Sequence, residues 1–102
     1  MRRYDKLVRD NIPATIMASG GVPHTTILDE DEYLKALGDK LVEEALEVQQ
    51  TPVTEELADV MEVIRAIAKH LNISLQEIEK VRIKKNQTNG AFHKRIFLES
   101  TD

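Results

Sequence analysis

Glu43-Glu44-Ala45-Leu46-Glu47-Val48-Gln49-Gln50-Thr51-Pro52-Val53-Thr54-Glu55-Glu56-Leu57-Ala58-Asp59 is the stretch whose reading decides the fold. Upstream of it, Tyr33, Leu34, Leu37, Leu41, Leu46 and Val48 keep a helical period as far as Gln50. Downstream, Leu57, Val60, Met61, Ile64, Ile67, Ala68 and Leu71 draw a second apolar stripe. Between the two, Thr51 has the chemistry of an N-cap and Pro52 that of a first helical residue, so one helix stops and the next starts there. A connection this short forces two antiparallel neighbours, and the sequence predicts a helical hairpin.

On either side the punctuation is equally helical. Asp10-Asn11-Ile12-Pro13 opens a short helix over roughly residues 11 to 19, with Asp10 as the expected cap and Gly20-Gly21 as the stop. Asp29 is the expected N-cap of the first long helix, and Glu30, Asp31 and Glu32 suit its first turn, where the helix dipole is positive. Asn72 closes the hairpin's second helix. Ser74-Leu75-Gln76-Glu77 is a capping-box pattern for a further long helix that runs towards Asn89 and stops at Gly90. Residues 23–28 are β-prone, and residues 94–98 alternate apolar and polar, so a short two-stranded pairing of these two segments is expected.

The 102 residues make one domain, 1–102, with a thin core and no disulfide to reinforce it, since Cys is absent. A second copy that completes a helical bundle, as a homodimer or higher homo-oligomer, is therefore expected. The charged start, Met1-Arg2-Arg3-Tyr4-Asp5-Lys6, is not followed by an apolar signal region, and no apolar run is long enough to span a bilayer. A cytoplasmic protein with no membrane partner is expected. A net charge of −4 argues against a nucleic-acid polymer as partner, because such binders neutralise phosphates with excess Lys and Arg. Carboxylates crowd residues 29–62 while basic clusters lie towards both ends.

Glu44 and Glu47 stand three apart on the first helix of the hairpin, and Glu56 and Asp59 stand three apart on the second, so each pair shares a face. The two pairs are mirror-placed about the Thr51-Pro52 junction. At a rise of ~1.5 Å per residue they come level in pairs across the groove. Glu44 is in heptad register with Leu37, on or beside the apolar stripe, and Glu43 flanks the group. One reading makes these acids a solvated helix face. The other makes them a metal-binding groove, in which hard oxygen ligands select Mg²⁺, Mn²⁺ or Ca²⁺ and a cation offsets the mutual repulsion of the carboxylates.

Glu43-Glu44-Ala45-Leu46-Glu47 followed by Glu56-Leu57-Ala58-Asp59 resembles the E-E-x-x-E … E-x-x-D signature of the MazG-like all-α nucleoside triphosphate pyrophosphohydrolases. Lys6-Leu7-Val8-Arg9-Asp10-Asn11-Ile12-Pro13 is similar to the K-L-V-R-D-K-I-P opening of a house-cleaning branch of that family, also described as phosphoribosyl-ATP pyrophosphohydrolase-like. Gly90-Ala91-Phe92-His93-Lys94-Arg95-Ile96 resembles that branch's G-G-F-x-K-R-I ending. The three motifs span nearly the whole chain. The gap between Glu47 and Glu56 is shorter than in the family's usual pattern, Asn11 stands where Lys is usual, and Asn89 stands where Gly is usual.

The resemblance implies an enzyme that hydrolyses a nucleoside triphosphate to a monophosphate and pyrophosphate in nucleotide-pool sanitation, with Mg²⁺ as cofactor and Mn²⁺ as substitute. It implies Glu44, Glu47, Glu56 and Asp59 as metal ligands, and Glu43 or a ligand carboxylate such as Glu44 or Glu47 as the catalytic acceptor of the water's proton. Hydrolysis of phosphoribosyl-ATP and a non-catalytic nucleotide- or metal-binding module are the alternatives. Lys6, Arg9, Lys84, Lys85 and Arg95 are the candidate polyphosphate ligands, since Arg offers a bidentate fork and Lys a mobile point charge. No phosphate-cradling G-x-x-x-x-G-K-[ST] loop occurs. His24, His70 and His93 are not spaced as a metal set.

Overall fold

The computed structural model describes residues 2–102, and among them it is all-helical. In chain order the helices are α1 (Ile12–Ala18), α2 (Glu30–Gln50), α3 (Thr54–His70) and α4 (Leu75–Asn89). Only α2 and α3 pack extensively against each other, as the predicted antiparallel hairpin. At its open end the Tyr33 ring of α2 meets the His70 ring of α3 edge-on, with centroids 5.2 Å apart.

Local chemistry sets most of the boundaries. Asp29 Oδ1 accepts from the Glu32 amide at 2.8 Å while Glu32 Oε1 accepts from the Asp29 amide, so α2 opens with a reciprocal capping box. Ser74 and Glu77 make the same box at α4. Asn72 adopts φ 58°, and the bonds from Ile73 N to Ala68 O and Asn72 N to Lys69 O form a Schellman closure of α3. Gly90 ends α4 at φ 83°.

Three expected features differ. Asp10 does not cap α1: the cap residue is Asn11, without a side-chain bond, because the Ile12 amide already donates to the Arg9 carbonyl at 3.0 Å. Thr51 and Pro52 do not start α3. The residue before a proline is pushed out of the α region, so Thr51 takes φ −140°, and Val53, whose amide donates to the Thr51 carbonyl, becomes the cap residue of α3. The pairing of 23–28 with 94–98 does not form, as there is no strand among the described residues. The Arg95 amide turns back to the Phe92 carbonyl, and Arg95 sits at φ 58°, which breaks the extension the ladder requires.

The core lies in the seam of the hairpin and is small. Leu37, Val63 and Ala68 are the buried apolar residues, with Tyr33, Leu41, Val48, Val60 and Ile67 half-buried around them. The outer part of the predicted α3 stripe faces away from this seam. Leu57 and Met61 are 53% and 65% exposed, and Ile64 and Leu71 are also exposed. The apolar arc of α3 is wider than one neighbouring helix covers.

Candidate metal centre

The seam that buries Leu37 continues towards the turn as a row of acids. Leu37, Leu41, Glu44 and Val48 follow each other at four- and three-residue steps, and Glu56, Val60 and Val63 do so on α3 with Asp59 beside Val60, so carboxylates from both helices interrupt the apolar seam towards the turn. Glu44 is buried, at 8% exposure, while Glu56 and Asp59 are half-buried. One carboxylate oxygen from each of the three lies within 4.8 Å of the others.

That spread suits a single hard cation. Mg²⁺ holds oxygens at ~2.0–2.1 Å, so ligands on opposite sides of it are about 4.2 Å apart, and Ca²⁺ spans slightly more. Three carboxylates with no soft or nitrogen donor are a donor set of the kind that suits a hard, oxygen-preferring divalent ion. Glu47 stands outside this set, exposed on the rim, but close enough for its charge to act on Glu56. The mirror symmetry of the sequence thus delivers three of the four expected ligands to one point.

The electrostatics record the crowding. The Glu56 carboxyl is held above its ordinary range, first by partial desolvation and then by the charges of Glu47, Asp59, Glu44 and Glu55. Glu43, next to Glu44 in the chain, is held below its range, chiefly by a hydrogen bond from Lys6 and secondarily by Lys40. Lys6 is raised correspondingly by that same bond.

The basic residues divide into two groups. The extended N-terminal segment lies against the hairpin: Lys6 Nζ donates to Glu43 Oε1 at 2.8 Å, and Arg9 Nη2 donates to Asp59 Oδ1 at 2.8 Å. A shallow recess lined by Lys6, Leu7, Ala36, Lys40 and Glu43 opens between that segment and α2. Lys84 and Lys85 lie instead on α4, in a separate surface groove with Val81 and Thr88, and Arg95 lies beyond it. No hydrogen bond or ion pair among the described residues joins these three to the acids.

Sequence reading passed over Lys40. Its Nζ lies 3.3 Å from both Glu43 Oε2 and Glu44 Oε1, which makes it the cationic partner of the most buried acid. Its positions three before Glu43 and four before Glu44 were the available signal. Glu43, expected as a catalytic group, is engaged on both oxygens by Lys6 and Lys40.

Comparison with known proteins adds little. No family model matches the chain, and no solved structure matches it. An uncharacterized protein of Mycolicibacterium smegmatis is 50% identical over 44 residues, which are 43% of this chain and 45% of that protein. The chain thus spans less than half the length of that relative. No helix among the described residues is long and apolar enough to cross a membrane.

Proposed function

We propose that the chain is a Mg²⁺-dependent nucleoside triphosphate pyrophosphohydrolase, acting in nucleotide-pool sanitation. The observation that carries the reading is a convergence. The acids of α2 and α3 and the Lys6–Arg9 segment are separate motifs in the sequence, and they meet at one end of the hairpin.

Glu44, Glu56 and Asp59 are the residues that would hold the ion, with Glu47 at its edge. A magnesium ion held there would supply neutralisation of charge on phosphate oxygens and a lowered pKa for a bound water. Lys6 and Arg9, paired with Glu43 and Asp59 beside the acid cluster, would take a polyphosphate's outer oxygens. Arg9 is paired with Asp59 in the free protein, so substrate binding exchanges one anionic partner of the guanidinium for another. Lys6 and Lys40 hold Glu43 ionised, which suits it to positioning Lys6. Glu47, which stands outside the triad, is the carboxylate proposed to accept the water's proton. In the reaction, water adds at the α-phosphorus, the bond from that phosphorus to the α–β bridging oxygen breaks, and pyrophosphate leaves.

Purified protein incubated with a panel of ordinary and modified nucleoside triphosphates, with Mg²⁺ or Mn²⁺, tests this. Equal amounts of pyrophosphate and monophosphate are expected, lost in the Glu47→Gln, Glu56→Gln double variant. Thermal stabilisation by Mg²⁺ without release from any substrate assigns a non-catalytic metal-binding module instead.

A further inference from the structure

Two of the three clustered acids carry a cation of the chain's own, and the two cations are held differently. Arg9 reaches Asp59 from the extended N-terminal segment, and its side chain remains 59% exposed. Lys40 sits on α2 itself, three residues before Glu43 and four before Glu44, so the helix places it beside both. Its side chain is only 18% exposed and that of Glu44 11%, with Lys40 Nζ 3.3 Å from Glu44 Oε1. Arg9 is therefore free to swing out into water, whereas the covered stem of Lys40 keeps its ammonium at the acids.

Burial sets this pair apart from the exposed ones. Lys35 and Asp39 also stand four apart on α2, but both side chains lie in water, which screens them and leaves the pair little effect. Glu44 is enclosed, and one oxygen each of Glu56 and Asp59 lies within 4.8 Å of its own. Without Lys40 it would be a buried charge with no compensation, repelled by two neighbours of the same sign. Glu56, the third acid, has no cationic partner among the described residues, so the chain's own cations only partly balance the cluster.

We propose that Lys40 is a built-in counter-cation of the Glu44–Glu56–Asp59 cluster: it compensates Glu44 whenever no metal ion is bound, and it weakens the binding of an ion when one enters. The proposal rests on the metal centre of the function proposed above, and not on the hydrolysis. Because the Lys40 ammonium cannot move away as the Arg9 guanidinium can, it and an entering divalent ion repel each other at close range. Metal affinity is thereby set lower than three carboxylates alone would give, and the stability of the metal-free protein higher. Removing the ammonium reverses both, since the ion then supplies the compensation that Lys40 no longer does.

The test is Mn²⁺ affinity by electron paramagnetic resonance, without nucleotide, together with thermal melting before and after Mn²⁺ is added. Lys40→Met is expected to melt below the wild type without metal, to bind Mn²⁺ about fivefold more tightly, and to gain more from the same Mn²⁺ concentration. Lys40→Arg keeps the charge and should keep wild-type values of both. Lys35→Met, which breaks an exposed pair on the same helix, should change neither. If Lys40→Met does not fold without metal, Lys40→Gln, uncharged but polar, is measured in its place with the same expectations. Unchanged or weaker Mn²⁺ binding by the neutral variant, or a Lys40→Arg protein that behaves like it, would overturn the proposal. Absence of Mn²⁺ binding by the wild type overturns it together with the metal centre. Tightened Mn²⁺ binding in a protein that hydrolyses no nucleotide leaves the role of Lys40 standing and removes only the proposed activity.

Discussion

At the scale of residues, the acid cluster is a place where stability is sacrificed to charge. Glu56 is held above the usual carboxylate range, so the folded protein keeps its proton more tightly than the unfolded chain does. Stability that Glu56 leaves intact at low pH is therefore lost as pH rises from the ordinary glutamate value through its raised one. Glu56→Gln is expected to raise the metal-free melting temperature near pH 7, and to leave it unchanged at a pH low enough to protonate Glu56 in both the folded and the unfolded chain. Added Mg²⁺ should stabilise the wild type and not the variant, as differential scanning fluorimetry would show. The Lys6–Glu43 pair has the opposite signs. Glu43 is lowered and Lys6 raised, so the pair's contribution is present above the unfolded glutamate value and below the unfolded lysine value. It is lost as pH falls through the lowered Glu43 value or rises through the raised Lys6 value. Both side chains remain partly in water, which screens the pair, and Lys6→Ala should cost at most about 1 kcal/mol in urea titrations at low salt, and less at high salt.

The same scale shows where sequence reading ran out. Glu44, Glu56 and Asp59 were legible because helical spacing alone puts them on facing stripes. Glu47 was grouped with them by the same arithmetic, yet lies on the rim, because spacing fixes a face and not the angle at which a side chain enters the seam. The bonds from Lys6 and Arg9 to acids 37 and 50 positions away are long-range, and no local pattern specifies them.

Among elements, the hairpin was readable from Thr51-Pro52 and the two stripes, and the boundaries at Asp29, Asn72, Ser74 and Gly90 follow from cap chemistry. Val53 as the cap residue of α3 was not readable, since the pre-proline restriction on Thr51 competes with its capping chemistry and prevails. The strand pairing failed because alternation in residues 94–98 is only a permissive signal, while the turn at Phe92–Arg95 is decided by backbone conformation. Leu37 is 4% exposed in the seam, and Leu37→Ala should destabilise by about 2–4 kcal/mol in urea titrations. Ser74→Ala removes half of the α4 capping box and should lower helix content and cost about 1 kcal/mol in the same titrations.

For the whole molecule, three buried apolar residues lie along a 57 Å long axis, and the outer part of the α3 stripe is left uncovered by its own chain. Sequence periodicity shows that a face is apolar but not whether its own chain covers it. The central claim is cleavage between the α- and β-phosphates at the acid end of the hairpin. Hydrolysis of a nucleoside triphosphate in ¹⁸O-labelled water with Mg²⁺, read by mass spectrometry, tests it most directly. The account predicts the label in the nucleoside monophosphate, unlabelled pyrophosphate, and neither product from Glu56→Gln. Label in orthophosphate or pyrophosphate, equal turnover by the variant, or no product from any nucleotide would contradict it.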